Sequence, residues 1–143
     1  ALVATDPRYL GKYGLARKRL AGAIGLSGPY DFAITGDLVQ VFGPRAQWPQ
    51  AQAVNFVDGG EPPFLLVHGS KDGVVETRDS VQLAGLLRAK KVATRLVLLP
   101  DGGHSTPLAG LYDPQRAPEV LPAILDFIAA KPPVRTPAGA TGR

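Results

Sequence analysis

The sequence predicts an α/β fold, a three-layer α/β/α arrangement on three adjacent parallel strands. Three observations lead there. Three apolar runs of strand length, residues 20–26, 63–69 and 93–99, are each closed by glycine, proline or a polar turn. The last two are followed by stretches with helical spacing of apolar residues, at about 76–91 and 117–130. Strands alternating with helices require parallel pairing with right-handed crossovers, and this gathers the residues past each strand's carboxyl end on one edge of the sheet.

Taken in order, Ala1 to Thr5 reads as the last turn of a helix that ends at Asp6-Pro7, because proline disfavours helical geometry in the residue before it. Leu20 to Leu26 is apolar, rich in small residues and without alternation, as suits a strand buried on both faces. Residues 36–57, broken by Gly43-Pro44 and Pro49, predict two short helices or helical turns with Trp48 between them, an excursion from the sheet. Pro63 to Gly69 is the clearest strand. It leads through a polar turn into a helix from about Glu76 to Lys91. There Leu83, Ala84, Leu86 and Leu87 form one apolar face, and Arg88, Lys90 and Lys91 crowd the end where the helix dipole favours cations. Ala93 to Leu99 is the third strand, and a loop then reaches a helix near Ala117 to Ala130, with Leu121, Ile124, Leu125 and Ile128 at i, i+3, i+4 and i+7. Residues 1–130 therefore read as one unit, and 131–143, with three prolines and little apolar content, as a disordered tail.

Composition removes several function classes. With 45% hydrophobic residues in 143, one packed core is expected, and no apolar run approaches the length of a membrane span. The absence of cysteine excludes disulfides, thiolate zinc sites and a thiol nucleophile, but fits any redox compartment. The formal charge of +4 is concentrated at the two ends. Residues 20–130 carry eight bases against eleven acids, a net −3, so no nucleic-acid partner is expected. Arg17-Lys18-Arg19 reads as a solvated turn before a strand. The sequence contains no methionine, so it is expected to start inside a longer protein or to be processed from one; a signal peptide would lie out of view and localisation stays open. Oligomeric state is not encoded in any pattern here.

The residues expected just past the strand ends are Ser27, Asp72 and His104. A carboxylate that orients an imidazole, and an imidazole that takes a proton from an alcohol, are the parts of a nucleophilic relay. Val67-His68-Gly69-Ser70-Lys71-Asp72-Gly73-Val74-Val75 resembles the HG-x-x-D-x-x-V segment that ends the seventh strand of α/β-hydrolases and bears the triad acid. Leu99-Pro100-Asp101-Gly102-Gly103-His104-Ser105 resembles the segment after their eighth strand, where the catalytic histidine follows glycine. Gly25-Leu26-Ser27-Gly28-Pro29-Tyr30-Asp31 is similar to the turn after the sixth strand in BD-FAE-like and arylformamidase-like hydrolases of the carboxylesterase type. Ala1 to Leu10 looks like the end of the helix after their nucleophile elbow.

The resemblance, which spans about residues 1–130, implies the last three strands of an α/β-hydrolase sheet, with Asp72 as triad acid and His104 as base. It implies a small-molecule ester substrate, no cofactor and no metal. It also implies a nucleophile outside this chain, since that family's serine sits in G-x-S-x-G with a separate oxyanion loop, and neither motif is present. Gly25-Leu26-Ser27-Gly28-Pro29 ends in proline and is followed by no long amphipathic helix, so Ser27 is not expected to be the nucleophile. Val75, from the D-x-x-V match, and Tyr30 are candidates for a substrate pocket, and both also suit plain packing. His68 reads as a core histidine, and Asp101 as a solvated carboxylate with a weaker claim to orient His104. Two histidines at no recognised spacing do not make a zinc site. Three alternatives stay open: a prolyl-oligopeptidase-type serine peptidase, a formamidase, and a non-catalytic α/β binding module.

Overall fold

The computed structural model describes residues 1–130; the predicted tail at 131–143 lies outside the described residues. The chain opens with two short helices, α1 (Leu2–Thr5) and α2 (Pro7–Gly11), and a 3-10 turn at Arg17–Arg19. Strand β1 (Ala23–Leu26) is followed by α3 (Leu38–Phe42) and two 3-10 segments, Arg45–Ala51 and Ala53–Phe56. Then come β2 (Phe64–Gly69), α4 (Thr77–Ala89), β3 (Thr94–Leu99), α5 (Thr106–Tyr112) and α6 (Val120–Ala129).

The three strands form one parallel sheet in the order β1-β2-β3, with Leu26 opposite Val67 and Gly69 opposite Leu99. All six residues of the central strand are buried. Successive side chains point to opposite faces of a strand, so β2 serves two cores. Phe64 and Leu66 join Leu83, Ala84 and Leu87 of α4, together with Ala4, Ala53 and Tyr30, on one face. Leu65 and Val67 meet Val120 and Ala123 of α6 on the other. This is the three-layer arrangement that the alternating runs predict.

Several local expectations change. Leu20 to Gly22 do not extend β1, which pairs only with β2 and leaves its other edge open, with Ile24 41% exposed. Asp6-Pro7 ends α1 as expected but also starts α2: Pro7 supplies a preset φ at the first helical position, and Asp6 Oδ1 accepts the Arg8 N–H at 2.9 Å. Residues 105–112, expected to be loop, contain α5. Pro107 sits in its first turn, and a helix this short shows too little periodicity to be read. Trp48 lies inside the first 3-10 segment rather than between helices, and its Nε1 donates to the Gly43 carbonyl at 2.9 Å.

Arg17 is the largest departure. Instead of a solvated turn it is only 7% exposed, and its guanidinium grips both oxygens of Asp58 at 2.7 Å. It also donates to the buried Glu61 carboxylate at 3.1 Å and to the Thr5 carbonyl. Those acids lie 41 and 44 residues away in sequence, out of reach of any local reading of charge. A buried guanidinium persists only when paired in this way, and here the pairing ties the amino-terminal helices to the turn that feeds β2.

Leu66→Ala is expected to cost about 2–5 kcal/mol, because the fully buried central strand cannot collapse around the cavity. Leu125→Ala, at a 56% exposed position on α6, is expected to stay within about 0.5 kcal/mol. Urea unfolding followed by circular dichroism checks the pair; equal costs would contradict this account of the core.

Candidate active site

Parallel pairing of β2 with β3 puts their exit loops side by side. Three backbone-directed bonds join the loops: Ser70 N–H to the Leu99 carbonyl at 3.0 Å, Lys71 N–H to the Gly102 carbonyl at 2.9 Å, and Asp101 N–H to Ser70 Oγ at 3.0 Å. The approach is so close that a Cβ at Gly69 would run into the backbone of Gly102 and Gly103. Gly69 is therefore required by contact distance, not by an unusual φ.

Asp72 sits in the first loop with its side chain fully buried. Its Oδ1 accepts the N–H groups of Val74 at 2.8 Å and Val75 at 2.9 Å, which folds the turn around the carboxylate. Its Oδ2 lies 2.9 Å from His104 Nδ1. Burial acts to raise the Asp72 pKa. The N–H groups of Val75 and Val74 and the His104 ring outweigh it, and the carboxyl is pulled down to about 2. An ionised carboxylate can only accept, so His104 Nδ1 carries the proton and donates it to Asp72. His104 Nε2 is then left with its lone pair, on a side chain 42% exposed to solvent. The arrangement can accept a proton at Nε2 and stabilise the resulting cation at Nδ1.

The other sequence candidates fall in different places. Asp101 points away, ion-paired with Lys71 at 2.5 Å on the surface, so it is not a partner of His104. Ser27 follows β1 with φ 47°, a left-handed conformation rare for serine, and is buried. Val75 lines a cavity of about 440 Å³ together with Phe32, Leu38, Phe42 and Val74. Phe32 and Phe42 meet edge to face there, with centroids 5.4 Å apart. Tyr30 is not among the residues lining that cavity. Its ring is buried in the α4-side core, against Gly25 and Gly28, where a larger residue at either position would meet it. Burial raises its phenol to about 12.

Two side chains near the site were not singled out for it by the sequence: Asp79 lies in no motif, and His68, though part of the HG-x-x-D-x-x-V segment, reads there as a core histidine. Asp79 on α4 is buried, and its Oδ2 accepts the N–H of Tyr30 at 2.8 Å and of Asp31 at 3.1 Å, which holds the loop after β1 beside the cavity. His68 touches the acid itself, with Nε2 3.0 Å from Asp72 Oδ2. Both depend on partners brought in by α4 or by the turn. Among the described residues no group of three His, Cys, Asp or Glu is placed to hold a metal ion, and no helix is long and apolar enough to cross a membrane.

Solved structures share this architecture. An esterase/lipase from an uncultured bacterium superposes with a TM-score of 0.68 at 21% identity, covering 90% of this chain and 50% of that one. A bifunctional GH43-CE protein of Bacteroides eggerthii gives 0.61 at 19% identity, over 76% of this chain and 16% of that one. Esterase 2 of Thermogutta terrifontis, phosphoramylated by tabun, gives 0.60 at 19% identity, over 76% and 40%. The chain thus spans half or less of the length of each, and at these identities the likeness is one of fold. That fold is the α/β-hydrolase fold, of which these residues supply three parallel strands and their helices. No curated protein matches the chain significantly. The sequence profile of the prolyl oligopeptidase family does match, over residues 33–132, and the chain belongs to that family.

Because the folded-state pKa of Asp72 is depressed, its contribution to stability is present above the unfolded carboxylate pKa of about 4 and is lost as pH falls toward about 2. The stability difference between the wild-type chain and Asp72→Asn is expected to narrow through that window. Urea midpoints at pH 6, 4, 3 and 2 test it; a difference independent of pH would show that the carboxylate's charge is not what the site stabilises.

Proposed function

We propose that the chain carries the acid and the base of a serine hydrolase acting on carboxylic esters. The observation that carries the reading is the Asp72–His104 contact at 2.9 Å, made through Nδ1 of a ring whose side chain is 42% exposed. In this mechanism His104 Nε2 takes the proton of a serine hydroxyl as the oxygen attacks the ester carbonyl. Asp72 keeps the ring in the required tautomer and stabilises the imidazolium. The same Nε2–H then protonates the departing alkoxide, leaving an acyl-serine that water, activated by His104 in its turn, hydrolyses. Ester cleavage is supported by the similar solved structures, two of which are described as esterases.

The serine and the oxyanion donors are assigned to residues other than these 143, since no G-x-S-x-G occurs among them. Residues 1–130 then form the carboxyl-terminal part of a hydrolase domain. The 143-residue chain is expected to be inactive by itself. The cavity beside Val75 opens two to three residues from Asp72 and would seat the apolar part of the ester, which puts specificity on Phe32, Leu38 and Phe42.

Peptide-bond cleavage is the second reading, and the family match favours it. A longer protein containing this chain distinguishes the two. Turnover of p-nitrophenyl acetate well above that of an aminoacyl-p-nitroanilide is expected, and the reverse order would replace the esterase reading. In that protein His104→Ala and Asp72→Asn should each lower kcat by about 10³–10⁴-fold or more with little change in KM. For the 143-residue chain, no labelling by a fluorophosphonate is expected; a label on Ser27 would overturn the assignment of the nucleophile.

A further inference from the structure

We infer that His68, with its proton placed by Ser80, is a positioning residue for the Asp72 carboxylate rather than an inert core histidine. The ring is wholly buried at the end of β2, and both of its nitrogens have partners. Nε2 donates to the Val75 carbonyl at 3.1 Å and lies 3.0 Å from Asp72 Oδ2. A carbonyl and an ionised carboxylate have no proton to give, so Nε2 must bear the hydrogen. Nδ1 is then the acceptor, and Ser80 Oγ on α4, 2.7 Å away, donates to it. The Ser80 hydroxyl thereby favours the one neutral tautomer that presents an N–H to the acid turn.

This contact acts on the acid from two sides. Holding the Val75 carbonyl fixes the peptide group next to the N–H that binds Asp72 Oδ1. At the other oxygen, Oδ2 accepts the His104 N–H at 2.9 Å, and the His68 Nε2, whose own hydrogen is directed at the Val75 carbonyl, lies against it at 3.0 Å. The carboxylate cannot rotate without giving up contacts at both oxygens, so the direction of the His104 bond is set before any substrate arrives. The other charged side chains on these loops, Lys71 with Asp101 and Glu76 with Arg78, pair with each other at the surface and do not take this place. Packing alone would require a ring of this size at 68; it would not require a donor at Nε2.

The catalytic meaning rests on reading Asp72 and His104 as acid and base, but the test needs no turnover, so the two can fail separately. In the 143-residue chain, nitrogen-15 spectra are expected to show His68 protonated at Nε2 and accepting at Nδ1, and a downfield Nδ1–H proton for His104. His68→Phe should raise the proton affinity of the Asp72 carboxyl about tenfold, read from its carbon-13 titration, and abolish the downfield His104 signal. His68→Gln, whose amide N–H reaches the Nε2 position, should restore both. A proton found on Nδ1 of His68 overturns the inference. So does a folded His68→Phe chain with the Asp72 titration and the His104 signal unmoved. Should His68→Phe not fold, the wild-type tautomer decides.

Discussion

The parallel ladder between β2 and β3 is the constraint from which the site follows. It aligns Gly69 with Leu99, so the two chains leave the sheet side by side, and backbone bonds from Ser70 and Lys71 to Leu99 and Gly102 keep them together. A separation of 32 residues in sequence is thereby reduced to a hydrogen bond of 2.9 Å between Asp72 and His104. The ladder holds because β2 is buried on both faces, with α4 on one side and α6 on the other. Hydrophobic burial sets the strands, the strands set the loops, and the loops set the chemistry.

Polar groups inside this framework are satisfied where they bear on the site. Asp72 takes two backbone N–H groups on one oxygen and faces two rings at the other. Asp79 spends its buried carboxylate on the loop after β1, and Arg17 joins three segments through Asp58, Glu61 and the Thr5 carbonyl. A buried charge is tolerated only when its partners are in place, so each of these fixes a loop that hydrophobic packing alone would leave free. Both outer strands of the sheet keep an unpaired edge among the described residues, and each carries a part-exposed apolar side chain, Ile24 on β1 and Leu98 on β3.

Much of this is legible in the sequence, for identifiable reasons. Both β2, buried on both faces, and β3, an edge strand with a continuous apolar Leu96–Leu99 run, can be placed to within a residue at each end. The HG-x-x-D-x-x-V segment marks its loop because the close approach of the Gly102-Gly103 backbone demands glycine at 69, and because donors at 74 and 75 fold the turn on Asp72. Short elements such as α2 and α5 escape, since one or two turns carry too little periodicity. The burial of Tyr30 and the pairing of Arg17 escape for a different reason: each depends on residues far along the chain.

What the linear order of residues determined by itself was the alternation of strand and helix and the two loops that carry a carboxylate and an imidazole. Those follow from local hydrophobicity and turn chemistry, which act over a few neighbours. Only the folded chain decided that His68 touches the acid, that Ser80 orients that ring, that Asp101 turns outward to Lys71, and that Val75 rather than Tyr30 borders the cavity. Each of those outcomes is a contact between elements distant in sequence or a choice of side-chain direction, and its energy exists only after the sheet and helices have packed.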